Sequence, residues 1–201
     1  SLGAVKAMDH AVQFLLPVVL ARALDTATFG EYRLLWLAVG TLMVTANLNM
    51  GGGLYYFVPR SEPKKKRLYI HQTLLYFAFA GLACAWLVSP WNPLLPEAAR
   101  QLEPYGWLVP AFVGLWFVAS LLDYLPTVEE RIRLQAYATV SVSLLRTAMV
   151  ALAAWVTGSL EVILWLLLAL AVIKLAMLLG YVEVKHGVGR PWFSRKLFAN
   201  Q

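Results

Sequence analysis

Six apolar stretches of about twenty residues, each stopped by a charged or proline-rich break, leave this chain few ways to fold. They run Ala7–Leu24, Tyr32–Val58, Leu68–Ser89, Tyr105–Pro126, Ala136–Thr157 and Leu160–Val182. At about 1.5 Å per residue, a helix of that length crosses the roughly 30 Å hydrocarbon core of a bilayer. The helix also satisfies its own backbone N–H and C=O groups where no water can. The breaks are chemically distinct: a charged turn at 60–67 holding Glu62, Pro63 and Lys64 to Arg67; a turn with Pro90, Pro93 and Pro96; the cluster Glu129, Glu130, Arg131 and Arg133; and the Gly158–Ser159 connection. With 60% hydrophobic and 14% charged residues among 201, a soluble domain could not hide this apolar surface. The expected fold is all-α, a polytopic transmembrane bundle of six spans.

Charge placement orients the bundle, because cytoplasmic loops carry the excess of Lys and Arg. With the N-terminus inside, twelve cations fall on inner segments: Lys6, Arg60, Lys64, Lys65, Lys66, Arg67, Arg131, Arg133, Lys185, Arg190, Arg195 and Lys196. Three fall on outer ones, Arg22, Arg33 and Arg100. That bias predicts cytoplasmic termini. Lys64–Arg67 reads first as a topology anchor, with anionic lipid headgroups a secondary ligand. Residues 1–182 form the expected six-helix lobe, and 183–201 a cytoplasmic linker towards a further, missing lobe.

Two cations stay inside the spans. Arg146 lies about ten residues from either end of its stretch, roughly 15 Å from each interface and beyond comfortable snorkelling. An intramembrane arginine costs about 2.5–3.5 kcal/mol on insertion scales, so it must face protein or a wet cavity. Thr139, Ser143 and Thr147 share its helical face. Asp123 is the candidate acid for an internal ion pair, although it lies near the inner end of its span, within easier reach of Arg131 or Arg133. Lys174 lies about eight residues from the inner end of the sixth span, close enough to reach partway out. Glu129 and Glu130, beside Arg131 and Arg133, read as a solvated ion-pair cluster.

Other polar residues form stripes. In the first span Lys6, His10, Gln13 and Pro17 recur at helical spacing, and Pro17 predicts a kink. In the second, Thr41, Thr45, Asn49 and Gly53 repeat at intervals of four, with Asn47 nearby. Gly51, Gly52 and Gly53 predict either close helix packing or a point where the helix bends. A lining of cations, amides and hydroxyls favours an anionic, hydrogen-bonding ligand such as a phosphate-bearing molecule with sugars attached.

No metal-ligand spacing, nucleotide-binding loop or nucleophile motif is present, so neither a metal, a cofactor nor an enzymatic role is expected. In a membrane protein the net charge of +6 concerns loops and lipids, not nucleic acid.

The first outer loop resembles a known family. Leu20, Ala21, Arg22, Ala23 and Leu24, then four residues, then Phe29, Gly30, Glu31 and Tyr32 are similar to the "A-R-x-L, then F/Y-G-x-Y" signature of polysaccharide and O-antigen flippases. These belong to the multidrug/oligosaccharidyl-lipid/polysaccharide exporter superfamily. The glycine-rich end of the second span followed by Arg60, and the run Phe193 to Leu197, look similar too. The resemblance implies the first six-helix lobe of a two-lobe transporter in the bacterial cytoplasmic membrane. Such a transporter moves polyprenyl-pyrophosphate-linked oligosaccharide by alternating access for surface polysaccharide, including lipopolysaccharide, and works beside glycan polymerases or glycosyltransferases. It implies that Arg146, Lys174, Arg33 and Arg22 attract the pyrophosphate, while Gln13, His10, Thr45, Asn47 and Asn49 line the path and Pro17 with the three glycines supplies flexibility. A drug/cation antiporter of the same superfamily would need a buried acid. A non-transporting scaffold for glycan enzymes would pair Arg146 with a protein acid.

Overall fold

A computed structural model describes residues 16–187, and everything described is helix, turn or loop. The chain is helical at 16–23 (α1), then at Thr26–Asn47 (α2), Met50–Phe57 (α3), Pro63–Leu87 (α4), Leu108–Ala119 (α5), Leu125–Val128 (α6), Ile132–Thr157 (α7) and Leu160–His186 (α8). Two 3-10 segments, Glu97–Tyr105 and Ser120–Asp123, precede and follow α5. Four described helical stretches are long and apolar enough to cross a membrane, five if the bent pair α2–α3 counts as one. Half of the first expected span, 7–15, falls outside the described residues, and the structure carries four or five candidate spans of the six expected.

The fourth span is not one helix. It runs Leu108–Val128 as α5, a 3-10 turn and α6, because Pro126 has no N–H to continue the ladder and the tighter turn absorbs the interruption. This segment is the core: 67% of its apolar window is buried, against 17% for α7. Its α5 part packs between α4 and α8, and α7 lies on α8. Phe77, Phe112 and Phe117 are fully buried there. Glycines bring α4 and α5 together: a Cβ on Gly81 would lie 2.9 Å from the Gly114 carbonyl oxygen, and one on Gly114 would lie 3.1 Å from that of Gly81. Small residues permit such backbone approach between membrane helices.

The second span breaks at Leu48 and Asn49, with left-handed φ of 44° and 60°, and α3 leaves α2 at 47°. Asn adopts this region readily, whereas for Leu it is strained. The surroundings hold the break. The Asn47 amide donates to the Tyr124 hydroxyl at 2.9 Å, the Tyr76 hydroxyl donates to the Ala46 carbonyl at 2.7 Å, and the Gly51 N–H donates to the Asn47 side-chain oxygen at 3.3 Å. Gly51 lies flat on the Tyr124 ring, where a Cβ would stand 3.0 Å from the ring carbons. The glycines expected as a flexible point are therefore helical, one turn past the bend. Pro17 is exposed within helical backbone.

Both ends of the bundle are fastened. Asp25 caps α2, accepting from the N–H groups of Ala27 and Thr28 at 3.1 and 3.3 Å. Hydrogen bonds from the Thr28 side chain and backbone hold its carboxyl below the ordinary value. Near that end the Tyr105 hydroxyl donates to Glu31 at 2.5 Å, and burial, followed by that bond, pushes the phenol up. At the opposite end, charged residues of the 60–67, 129–131 and 185–186 segments surround one cavity. The three basic segments expected on one side of the membrane thus share one end of the bundle. α8 continues to His186, past the Val182 expected, and stops at Gly187 with φ 63°.

Gly81→Ala should lower the thermal stability of the purified chain in detergent by about 1–3 kcal/mol, the usual range for overpacking. Gly180→Ala on α8, where nothing lies within 4 Å of the new Cβ, should be neutral or stabilising. Paired melting curves check the contrast.

Candidate functional site

Five of the polar residues on α7 fall on one face by helical spacing: Gln135, Thr139, Ser143, Arg146 and Thr147. Gln135 Nε2 donates to the Thr139 hydroxyl at 2.9 Å. The Oε1 of Gln135, the hydroxyls of Ser143 and Thr147 and Nε of Arg146 are buried without a hydrogen-bond partner. So is the indole nitrogen of Trp36 on α2. Buried polar atoms are almost always paired, each unpaired one costing about 1–3 kcal/mol. Five such atoms lie on and facing one stripe, a concentration of unpaired polar groups between α7 and α2.

Beside this stripe is a cavity of about 150 Å³, lined among others by Gln135, Thr139, Ser143, Arg146, Asp123 and Lys174. It joins α7 to α8 and to the 3-10 turn after α5. The Lys174 ammonium meets Asp123 at 2.7 Å and lies 4.9 Å from the centre of the Trp116 ring. The Lys174 side chain is 6% exposed and that of Asp123 43%, so the carboxylate is the wet member of the pair. The expectation that Lys174 reaches towards the interface, and that Asp123 meets Arg131, is corrected, since each takes the other; the Arg133 side chain lies outside what the structure describes. The cause is the 3-10 turn Ser120–Asp123, which rotates Asp123 inward opposite the middle of α8.

Arg146 has a different environment. Its guanidinium lies 4.9 Å from the centre of the Trp36 ring, and Trp36 packs edge-on against Phe112 and Trp116 at 5.9 Å each. An aromatic face stabilises a cation without neutralising it, by about 0.5–2 kcal/mol. Among the described residues the ion pairs are Lys174–Asp123 and His186–Glu129, and no carboxylate reaches Arg146. The two membrane cations thus sit on one connected aromatic cluster, one paired and one not.

No family model, curated protein or solved structure matches this chain.

The remaining candidates lie elsewhere. Arg22 and Arg33 are exposed towards the Asp25 end, Arg33 lying 5.8 Å from the centre of the Phe29 ring. Asn47 is committed to Tyr124 at the helix break. The Thr45 hydroxyl donates to the Thr41 carbonyl of its own helix at 2.8 Å, and Asn49 is exposed at the bend. Thr45, Asn47 and Asn49 stand about three turns along α2 from Trp36, roughly 15 Å from the Arg146 contact. His10 and Gln13 lie outside the described residues. Glu129 does not join a solvated cluster with Arg131: its carboxylate accepts from the Tyr181 hydroxyl and meets His186 Nε2 at 2.6 Å, half-buried against α8.

Sequence reading missed Gln135, Trp36 and Trp116. Gln135 carried a signal, standing four residues before Thr139. The tryptophans did not, since an aromatic in a span reads as ordinary packing.

Asp123→Asn should leave the Lys174 ammonium buried without a counter-charge. Losing one partner of a fully buried pair costs about 3–5 kcal/mol; the exposure of Asp123 brings the expected loss to about 2–3. Asp123→Asn combined with Lys174→Met should recover most of it. Thermal unfolding of the two variants checks this, and equal destabilisation of both would contradict the pairing.

Proposed function

We propose that this chain is a lobe of a flippase that carries polyprenyl-pyrophosphate-linked oligosaccharide across the bacterial cytoplasmic membrane, with both termini on the cytoplasmic side. The reading rests on one observation: Arg146 lies in a long apolar helix against an aromatic face and beside a polar-lined cavity, with no carboxylate among the described residues to pair with it. A pyrophosphate supplies what that site lacks, since its oxygens accept from a guanidinium fork and from hydroxyls. The unpartnered Ser143 and Thr147 hydroxyls and the Gln135 carbonyl suit a ligand that both donates and accepts, as sugar hydroxyls do.

The low burial of α7 supports a second body opposite it. Alternating access then works between this lobe and its partner lobe, and the reaction is transport without covalent chemistry. Membrane lipids surround the remaining apolar faces, and glycan polymerases or glycosyltransferases act on the carried product.

The rival readings fit the site less well. A drug/cation antiporter needs an acid free to take a proton or an organic cation, and Asp123 is committed to Lys174. A scaffold needs Arg146 locked to a protein acid, and among the described residues no acid holds it.

In cells whose surface glycan depends on the full-length protein, Arg146→Ala should lower glycan export about ten- to hundredfold. That corresponds to losing one charged hydrogen-bonding group worth about 1.5–3 kcal/mol. Arg146→Lys should retain part of the activity, because lysine keeps the charge but not the fork. Arg22→Gln should export normally. Normal export by Arg146→Ala at equal expression would contradict the proposal.

A further inference from the structure

At the far end of the bundle from Asp25 lies a cavity of about 1080 Å³. Its rim is cationic: Lys64, Lys65, Lys66 and Arg67 from the first turn of α4, Arg131 from the α6–α7 turn, and Lys185 from the last turn of α8. We infer that this cavity is a second anion site, distinct from the Arg146 site and independent of the flippase reading, which takes the phosphate of an anionic lipid headgroup.

Folding stability does not account for the charges. Lysines in the first turn of a helix face the positive end of its dipole, where carboxylates are favoured. Pro63 opens α4, and Glu62 at its N-cap makes no side-chain hydrogen bond to it, so the first N–H groups point the same way as the lysines. Among the described residues Lys64, Lys65, Lys66, Arg131 and Lys185 form no ion pair. The carboxylate best placed to quench them, Glu129, is held by Tyr181 and His186 instead. Glu130 is exposed on a left-handed turn with φ 62°. Leaving Arg67 aside, five cations around one cavity therefore face two lining carboxylates among the described residues, one of them already engaged.

The floor selects the lipid over a free anion. Beneath the rim Val58 and Val128 are packed into the base, and Pro59 and Pro63 offer exposed apolar surface beside the lysines, at the point where the charged turns give way to the apolar helices. A cationic rim above an apolar floor matches the junction of a phosphate with its glycerol and acyl chains. A soluble phosphate gains nothing from that floor. Basic residues near anionic headgroups add about 1 kcal/mol each, so three lysines are worth tenfold or more in affinity.

The test uses the full chain in neutral detergent, titrated with phosphatidylglycerol or phosphatidylcholine, with bound lipid counted by native mass spectrometry. Phosphatidylglycerol should be retained in preference, and the preference should fall at least about tenfold in the triple variant Lys64→Gln, Lys65→Gln, Lys66→Gln. It should persist in the matching Lys→Arg triple and in Arg22→Gln, Arg33→Gln, Arg100→Gln. Should the first triple fail to fold, Arg131→Gln with Lys185→Gln, away from the α4 cluster, should weaken retention severalfold. Equal retention of the two lipids, or an unchanged preference in both neutralised variants, would overturn the inference. Displacement of phosphatidylglycerol by equimolar inorganic phosphate would also overturn it, by assigning the site to a soluble anion.

Discussion

The neighbourhood of the two membrane cations is governed by the single carboxylate of Asp123, which neutralises Lys174 and cannot also serve Arg146. Lys174 is the more deeply buried cation, and an ammonium is a compact, strongly hydrated charge that tolerates desolvation poorly without a counter-ion. A guanidinium is more weakly hydrated and stacks on aromatic faces, so Arg146 can rest on Trp36 without a carboxylate beside it. The pairing of acid with lysine and of arginine with indole follows the chemistry of each head group. It leaves a net positive site in the middle of the helices, which is what distinguishes this bundle from an inert one.

That site depends on the fold in specific ways. The 3-10 turn Ser120–Asp123 directs the carboxylate at α8, and Pro126 makes a continuous α-helix there unfavourable. The Gly81–Gly114 contact draws α4 and α5 together, and α5 in turn carries Phe112 and Trp116, on which Trp36 rests. Charge is then divided between two regions, the isolated Arg146 within the spans and the basic cavity at the end. Side chains already engaged with other protein groups, Asp123 and Glu129, keep the nearest acids away from both.

Much of this was legible in residue order. The last two spans, expected at Ala136–Thr157 and Leu160–Val182, lie within α7 and α8, because long apolar runs between Arg131 and Gly158, and after Ser159, leave no other helix to draw. The face shared by Thr139, Ser143, Arg146 and Thr147 followed from helical period alone. Of the two readings of Gly51, Gly52 and Gly53, close packing suits Gly51, which lies against the Tyr124 ring. The bend itself falls just before them, at Leu48 and Asn49, held by Asn47 and by Tyr76 and Tyr124 from distant parts of the chain. The partner of Lys174 was illegible for the same reason. An ion pair 51 residues apart is decided by how a 3-10 turn rotates Asp123, and no local pattern records that rotation.

What the α7 stripe meets, an anion-bearing ligand or only its own protein, decides the role of Arg146. Thr139, two turns from Arg146 on the same face and exposed beside the cavity, reports on this directly when replaced by cysteine in a Cys84→Ala background within the full-length protein. A polar thiol reagent should label Thr139→Cys, and a polyprenyl pyrophosphate should slow that labelling by severalfold or more while the uncharged polyprenol does not. Labelling that is absent, or that proceeds at the same rate with and without the pyrophosphate, would contradict the assignment of Arg146 to substrate.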